Sequence, residues 1–112
     1  DKIMIYILQE KGHVSKISFK GVGCAISIAS ASLLTETLKN RSVTQARNYA
    51  KNFMMIINSH HKFFENKKQF DNKDLEILMA VKDFPTRIKC ATLSWQAFLS
   101  AIEGRDTIVT TE

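Results

Sequence analysis

The hydrophobic period of the chain changes at Gly21-Val22-Gly23-Cys24, and that change restricts the folds open to it. Upstream, apolar residues alternate with a period of two, as strands do; downstream they recur every three or four residues, as on a helix. Residues 2–9 place Ile3, Ile5 and Ile7 on one face and Met4, Tyr6 and Leu8 on the other. Two apolar faces suit a strand covered on both sides, or one paired internally in a sheet. Glu10-Lys11-Gly12-His13 reads as a hairpin turn, with Gly12 free to take a positive φ. Residues 14–20 alternate again, with Ile17 and Phe19 inward and Lys16, Ser18 and Lys20 outward. A lone hairpin is not stable in water, so a third strand or covering helices must complete the structure.

Those helices follow. Over residues 25–38, Ile26, Ala29, Leu33 and Thr37 gather on one side with Leu34 and Leu38, and Asn40 is placed to stop the helix. Ser42-Val43-Thr44-Gln45 fits a capping box opening a second helix, whose stripe is Val43, Ala46, Ala50, Phe53, Met54 and Ile57. Residues 60–71 form a polar linker containing His60, His61, Phe63, Phe64 and Phe70; Asn72 can cap a short helix carrying Leu75, Leu78 and Met79. Pro85 interrupts any helix running through Asp83 and Phe84. Thr86 is then the expected N-cap of the last helix, with Ile88, Ala91, Trp95, Phe98, Leu99 and Ile102 buried and Gly104 at its end. Residues 105–112 show no periodicity and read as a flexible tail. The expected fold class is α+β: a small antiparallel β-sheet packed against several α-helices, in one domain spanning residues 1–112.

Composition excludes several functions. No apolar run approaches the roughly 18–20 residues that span a bilayer, and no signal-peptide pattern is present, so no membrane role is expected. Two cysteines are too few for a disulfide scaffold, which points to a reducing cytoplasm. The net charge of +5 admits nucleic acid or an acidic protein as partner. The basic residues are dispersed, however, and the clusters Lys39-Asn40-Arg41 and Lys67-Lys68 lack interleaved aromatics, so nucleic acid is not expected.

The residues able to do chemistry are the two thiols. Cys24 stands where strand gives way to helix, among small neighbours, and a cysteine at a helix N-terminus is biased toward thiolate. Cys90 falls in about the first turn of the last helix, in the same electrostatic setting. Free cysteine is also used simply as a small buried hydrophobe, and spacing alone leaves both uses open. His60 and His61, being adjacent, diverge by about 100° on a helix and do not readily share a metal. His13 sits in a turn. Ser27, Ser30 and Ser32 lack a hydrolase-like arrangement of His and Asp.

Two blocks carry a family resemblance. Gly21-Val22-Gly23-Cys24-Ala25-Ile26-Ser27, continuing to Glu36, resembles the second-cysteine motif of the U-type iron–sulfur cluster assembly proteins, the IscU, SufU and NifU N-terminal family; Phe84-Pro85-Thr86-Arg87-Ile88-Lys89-Cys90, continuing to Ala97, resembles its third. In that family three cysteines and an aspartate converge on a metal or cluster, the aspartate closing a Cys-Gly-Asp triplet. Asp1, leading straight into a strand, matches that aspartate, Cys24 the second cysteine and Cys90 the third. The first cysteine would precede Asp1 by two residues; with no initiator Met, the expectation is a truncated or processed chain lacking the N-terminal segment. Lys89 stands where the IscU branch has His, and the long segment between the cysteines resembles the SufU insertion.

The resemblance implies a SufU-type protein that binds zinc through Asp1, Cys24 and Cys90 and accepts persulfide sulfur from a cysteine desulfurase. It works as sulfur carrier or cluster scaffold rather than as a free-standing enzyme. Cys90 and Cys24 are the acceptor candidates. Arg87 and Lys89 would support them by guiding an anionic persulfide or a partner loop, or are merely solvated helix-end cations. The alternative within the class is an IscU-like scaffold binding iron or a transient [2Fe–2S] cluster for downstream acceptor proteins, with the same three ligands. From another class, the chain would be a basic interaction module whose cysteines do no chemistry.

Overall fold

The structure is a computed structural model describing residues 1–59, 72–104 and 109–110. It opens with a hairpin of β1 (Lys2–Glu10) and β2 (His13–Val22), joined by Lys11 and Gly12 at φ 51° and 78°. Two left-handed residues in a two-residue loop give a turn whose twist matches that of the strands, and glycine takes such a conformation without steric cost. Opposite the turn, pairing runs from Lys2↔Val22 to Leu8↔Lys16, then shifts to Gln9↔Val14. Ser15 is the extra residue of this bulge. The shift reverses the parity of β2, so Val14 joins Ile17 on the core side, where it is fully buried. A strict alternation would have left Val14 outside with Lys16.

β3 (Val109–Thr110) pairs with β1 at Lys2↔Thr110 and Ile3↔Val109, giving the strand order β2-β1-β3. The lack of periodicity over residues 105–112 did not announce this strand, whose two residues are too short to carry a pattern. β1 is therefore the internally paired strand that its two apolar faces suggested. Among the described residues it is the inner of the two faces that is covered. Ile3 packs with Ala31 and Leu93, while Tyr6 and Leu8 on the outer face are 47% and 44% exposed.

The helices are α1 (Ala25–Leu38), α2 (Val43–Ile57), α3 (Lys73–Leu78), running into a 3₁₀ turn at Met79–Asp83, and α4 (Pro85–Ile102). Asn40, at φ 69°, ends the first helical unit as expected. The Ser42 box forms in full, with Gln45 N–H donating to Ser42 Oγ at 3.1 Å and Ser42 N–H to Gln45 Oε1 at 3.3 Å. Asn72 caps α3 through Asp74 N–H at 2.9 Å. His60, His61 and the aromatic residues of the linker lie outside the described residues, as do the Lys67-Lys68 pair and residues 105–108 and 111–112.

Two expectations are corrected. The buried stripe of α1 is Ser27, Ser30, Ala31, Leu34 and Leu38, and Ala29 is exposed. Apolar spacing misplaced it because two buried positions are serines, whose hydroxyls find partners inside. α4 is capped at Phe84, not Thr86, with Pro85 as its first residue. Proline already has the helical φ, and its missing N–H is one that no helix start can satisfy internally. The core centres on Trp95, fully buried and stacked on Phe53 at 4.0 Å and Tyr49 at 6.3 Å between ring centroids. Its Nε1–H donates to Ser30 Oγ at 2.9 Å, and Ser30 Oγ donates to the Ala91 carbonyl at 2.5 Å. This relay joins α1 to α4. Among the described residues no helix is long and apolar enough to cross a membrane.

Candidate metal centre

The hairpin register alone brings Asp1 beside Gly23, because Lys2 pairs with Val22. The approach is close. A Cβ on Gly23 would stand 3.0 Å from Asp1 Cγ and 3.2 Å from its Oδ1. On Gly21 it would stand 2.2 Å from the Lys2 carbonyl oxygen. Neither glycine is among the positive-φ residues. The pair thus gives room for the neighbouring strand rather than a tight turn.

Cys24 is the N-cap of α1, in extended conformation at φ −71° and ψ 168°. Its N–H donates to Asp1 Oδ1 at 3.2 Å, and the Ser27 hydroxyl donates to Asp1 Oδ2 at 2.5 Å. Ser27 Oγ also lies 3.5 Å from Cys24 Sγ. Burial pushes the Cys24 thiol up, but it is outweighed by hydrogen bonds to the sulfur from the Ser27 hydroxyl and N–H, the Cys90 thiol and the Ile26 N–H; the pKa falls from 9.0 to about 7. The Ser27 hydroxyl has one proton for two anionic neighbours. When Asp1 holds it, the backbone N–H groups and Cys90 are what remain to favour the thiolate.

Cys90 reaches this place from α4. With Pro85 as first residue, Cys90 sits in the second turn rather than the first, and its Sγ lies 3.8 Å from the Thr86 carbonyl. The two cysteines therefore do not share a helix-start setting. They do share a site. One carboxylate oxygen of Asp1 and the sulfurs of Cys24 and Cys90 all lie within 4.8 Å of one another, on three half-buried residues, with both thiols free. Donors around a tetrahedral zinc, at bonds of ~2.0–2.3 Å, stand roughly 3.5–3.8 Å apart, so small side-chain movements would bring these three to one ion. Two thiolates and a carboxylate form a donor set suited to zinc or iron rather than to magnesium or calcium.

Arg87 and Lys89 are exposed on α4, three residues and one residue before Cys90. α4 has no acidic residue in its first turn. His13 is exposed, with Nδ1 3.1 Å from the Lys11 carbonyl, and is not among the donors. The residue that sequence reasoning passed over is Ser27, fully buried between Asp1 and Cys24. Its signal was the spacing from Cys24: the third residue after an N-cap faces back toward the capping side chain.

Residues 1–91 match the model of the NifU-like N terminal domain. The zinc-dependent sulfurtransferase SufU of Bacillus subtilis (strain 168) is 37% identical over 97 residues, which cover 87% of this chain and 63% of that protein. The iron-sulfur cluster assembly scaffold protein IscU of Streptococcus pyogenes serotype M1 is 34% identical over 103 residues, 92% of this chain and 62% of that one. The chain thus spans less than two thirds of the length of either. A crystal structure of a hypothetical protein superposes with a TM-score of 0.76 at 32% identity, covering 90% of this chain and 71% of the other. A putative iron-sulfur cluster assembly scaffold protein for the SUF system, from Fervidobacterium islandicum AW-1, superposes at 0.73 over 92% and 69% of the two chains; at 23% identity this likeness speaks to the fold alone.

Proposed function

The chain belongs to the NifU-like N-terminal domain family, and on that premise we propose that it serves iron–sulfur cluster assembly as a SufU-type zinc-binding sulfur acceptor for a cysteine desulfurase. The observation that carries this reading is the meeting of Asp1, Cys24 and Cys90 within 4.8 Å. The first-named relative, SufU of Bacillus subtilis, is a zinc-dependent sulfurtransferase, and the donor set here is of the kind zinc takes.

Asp1, Cys24 and Cys90 would hold the zinc, which keeps its cysteine ligands deprotonated when bound. The chain's own residues supply the rest. Cys90, half-buried on α4, is the favoured acceptor, with Cys24 as second candidate. Its thiolate attacks the outer sulfur of the desulfurase's cysteine persulfide, forming a new S–S bond. The old S–S bond breaks, and the desulfurase cysteine leaves as thiolate. The surface around both thiols suits a protein partner: Val22 is 73% exposed next to Gly23-Cys24, and Phe84 is 60% exposed at the start of α4. Arg87 and Lys89 stand in the first turn and a half of α4, where the helix dipole disfavours cations. An incoming anionic persulfide would offset that cost.

Cys24→Ala is expected to abolish both zinc retention after dialysis and stimulation of a cysteine desulfurase. Undiminished stimulation would remove sulfur transfer from the reading. A second reading, as a scaffold on which iron and sulfide are assembled, draws on the kinship with the IscU scaffold protein of Streptococcus pyogenes. Supplying iron and sulfide anaerobically separates the two, since a scaffold develops visible cluster absorption and a zinc-bound acceptor does not.

A further inference from the structure

Three polar groups meet where the hairpin's open end touches α1, and one of them belongs to no ligand. Ser27 is fully buried, so its hydroxyl has to find its partners inside the protein. It reaches Asp1 Oδ2 at 2.5 Å, while Cys24 N–H holds Asp1 Oδ1 at 3.2 Å. The carboxylate is thereby gripped at both oxygens from one turn of one helix. An ionised carboxylate offers about four acceptor positions, so accepting a hydrogen bond at each oxygen is compatible with binding a metal as well. An aspartate preceding a strand otherwise has several rotamers open to it, only some of which point toward the two sulfurs.

We propose that Ser27 is a positioning residue of this site, which orients the Asp1 carboxylate toward Cys24 and Cys90 and so makes it a metal donor. The proposal rests on the metal-binding reading above. It assigns Ser27 no contact with the ion. Ser27 acts through Asp1, in the way that hydrogen-bonded outer groups orient metal-binding carboxylates, where loss of such a group costs about 10–100-fold in affinity. Ser30, one turn further along, has its hydroxyl occupied by Ala91 and Trp95 and plays no part.

The test uses Co²⁺ added to the full metal-free chain, followed by its visible d–d bands and its thiolate charge-transfer bands. Ser27→Ala is expected to weaken Co²⁺ binding by about 10–100-fold and to shift the d–d envelope as water replaces the carboxylate, with the charge-transfer bands kept. Ser27→Thr retains the hydroxyl and should restore the wild-type envelope. In an Asp1→Ala background the Ser27 hydroxyl keeps only its contact with Cys24 Sγ, so the same Ser27→Ala change should cost clearly less than in the wild-type chain and leave the d–d envelope in place, because residues acting through one another are not additive. A full-sized loss in that background overturns the proposal, as does an unchanged envelope in Ser27→Ala. If Ser27→Ala does not fold, Ser27→Thr against Ser27→Val compares hydroxyl with methyl at equal shape, and equal affinities there overturn it too. Failure of the wild-type chain to bind Co²⁺ at all would overturn the metal reading together with Ser27's part in it.

Discussion

At position 23 a single methyl group would press on Asp1 Cγ at 3.0 Å, whereas at position 21 it would run into a backbone carbonyl at 2.2 Å. A side chain can yield and a paired strand cannot, so the two glycines separate function from folding. Gly23→Ala is expected to weaken zinc binding by about tenfold while moving the unfolding midpoint of the metal-free chain little. Gly21→Ala should destabilise the fold itself, by about 1–3 kcal/mol or more. Isothermal titration with zinc and thermal unfolding, run on both variants, check the contrast. The thiol next to them has its own signature. With a pKa lowered from 9.0 to about 7 by hydrogen bonds that favour the thiolate, Cys24 is protonated and slow below neutrality and largely ionised above it. In the metal-free chain its alkylation rate should therefore climb through about pH 7 and level off near pH 8. An ordinary thiol would still be accelerating there. Mass-spectrometric counting of labelled Cys24 peptides across pH 5–10 reads the midpoint, and a value near 9 would contradict the environment described.

Between elements, the relay from Trp95 Nε1 through Ser30 Oγ to the Ala91 carbonyl fixes α1 against α4, one residue from Cys90 and two turns from Cys24. All three groups are buried. Ser30→Ala strands the indole N–H without a partner and should cost about 1–3 kcal/mol, the penalty for a buried polar group left unsatisfied. Denaturant unfolding of the metal-free chain measures it. The same relay shows where a sequence stops speaking. Signals that act within four residues were legible: the positive φ at Gly12, the Ser42–Gln45 box, the Asn72 cap, the stop at Gly104. So were the apolar stripes of α2 and α4 and, by resemblance, the meeting of Asp1, Cys24 and Cys90. What was not legible depends on a partner far along the chain. Ser27 and Ser30 were left out of the α1 stripe because their hydrogen-bond partners come from Asp1 and from α4. The bulge at Ser15 and the two residues of β3 depend on pairing, which leaves no periodic trace. The start of α4 was misjudged because a hydroxyl at Thr86 looks like a cap, whereas proline at the first helical position needs none.

For the whole molecule, Asp1, Cys24 and Cys90 come from the mouth of β1, the β2–α1 junction and the second turn of α4, so one ion held by all of them would cross-link both ends of the described fold. The unfolded chain holds no such preformed site. Zinc would bind it less well than the native state, and the difference appears as stability. At free zinc a hundredfold above its dissociation constant the gain is about 2.7 kcal/mol. For a domain near this size that corresponds to a rise in melting temperature on the order of 10 °C, less whatever zinc the unfolded thiols take up. A chelator in excess should return the transition to its metal-free position. The Cys24→Ala chain should show little response to either addition, because losing one donor leaves Asp1 and Cys90 too few to hold an ion across the fold. The Ser30→Ala chain offers the complementary case: its metal-free melting point falls, but with all three donors intact it should still gain from zinc. Scanning calorimetry of the three chains, each with zinc and with chelator, separates metal binding from folding. A wild-type melting temperature indifferent to zinc would mean that the three residues lie near one another without acting together.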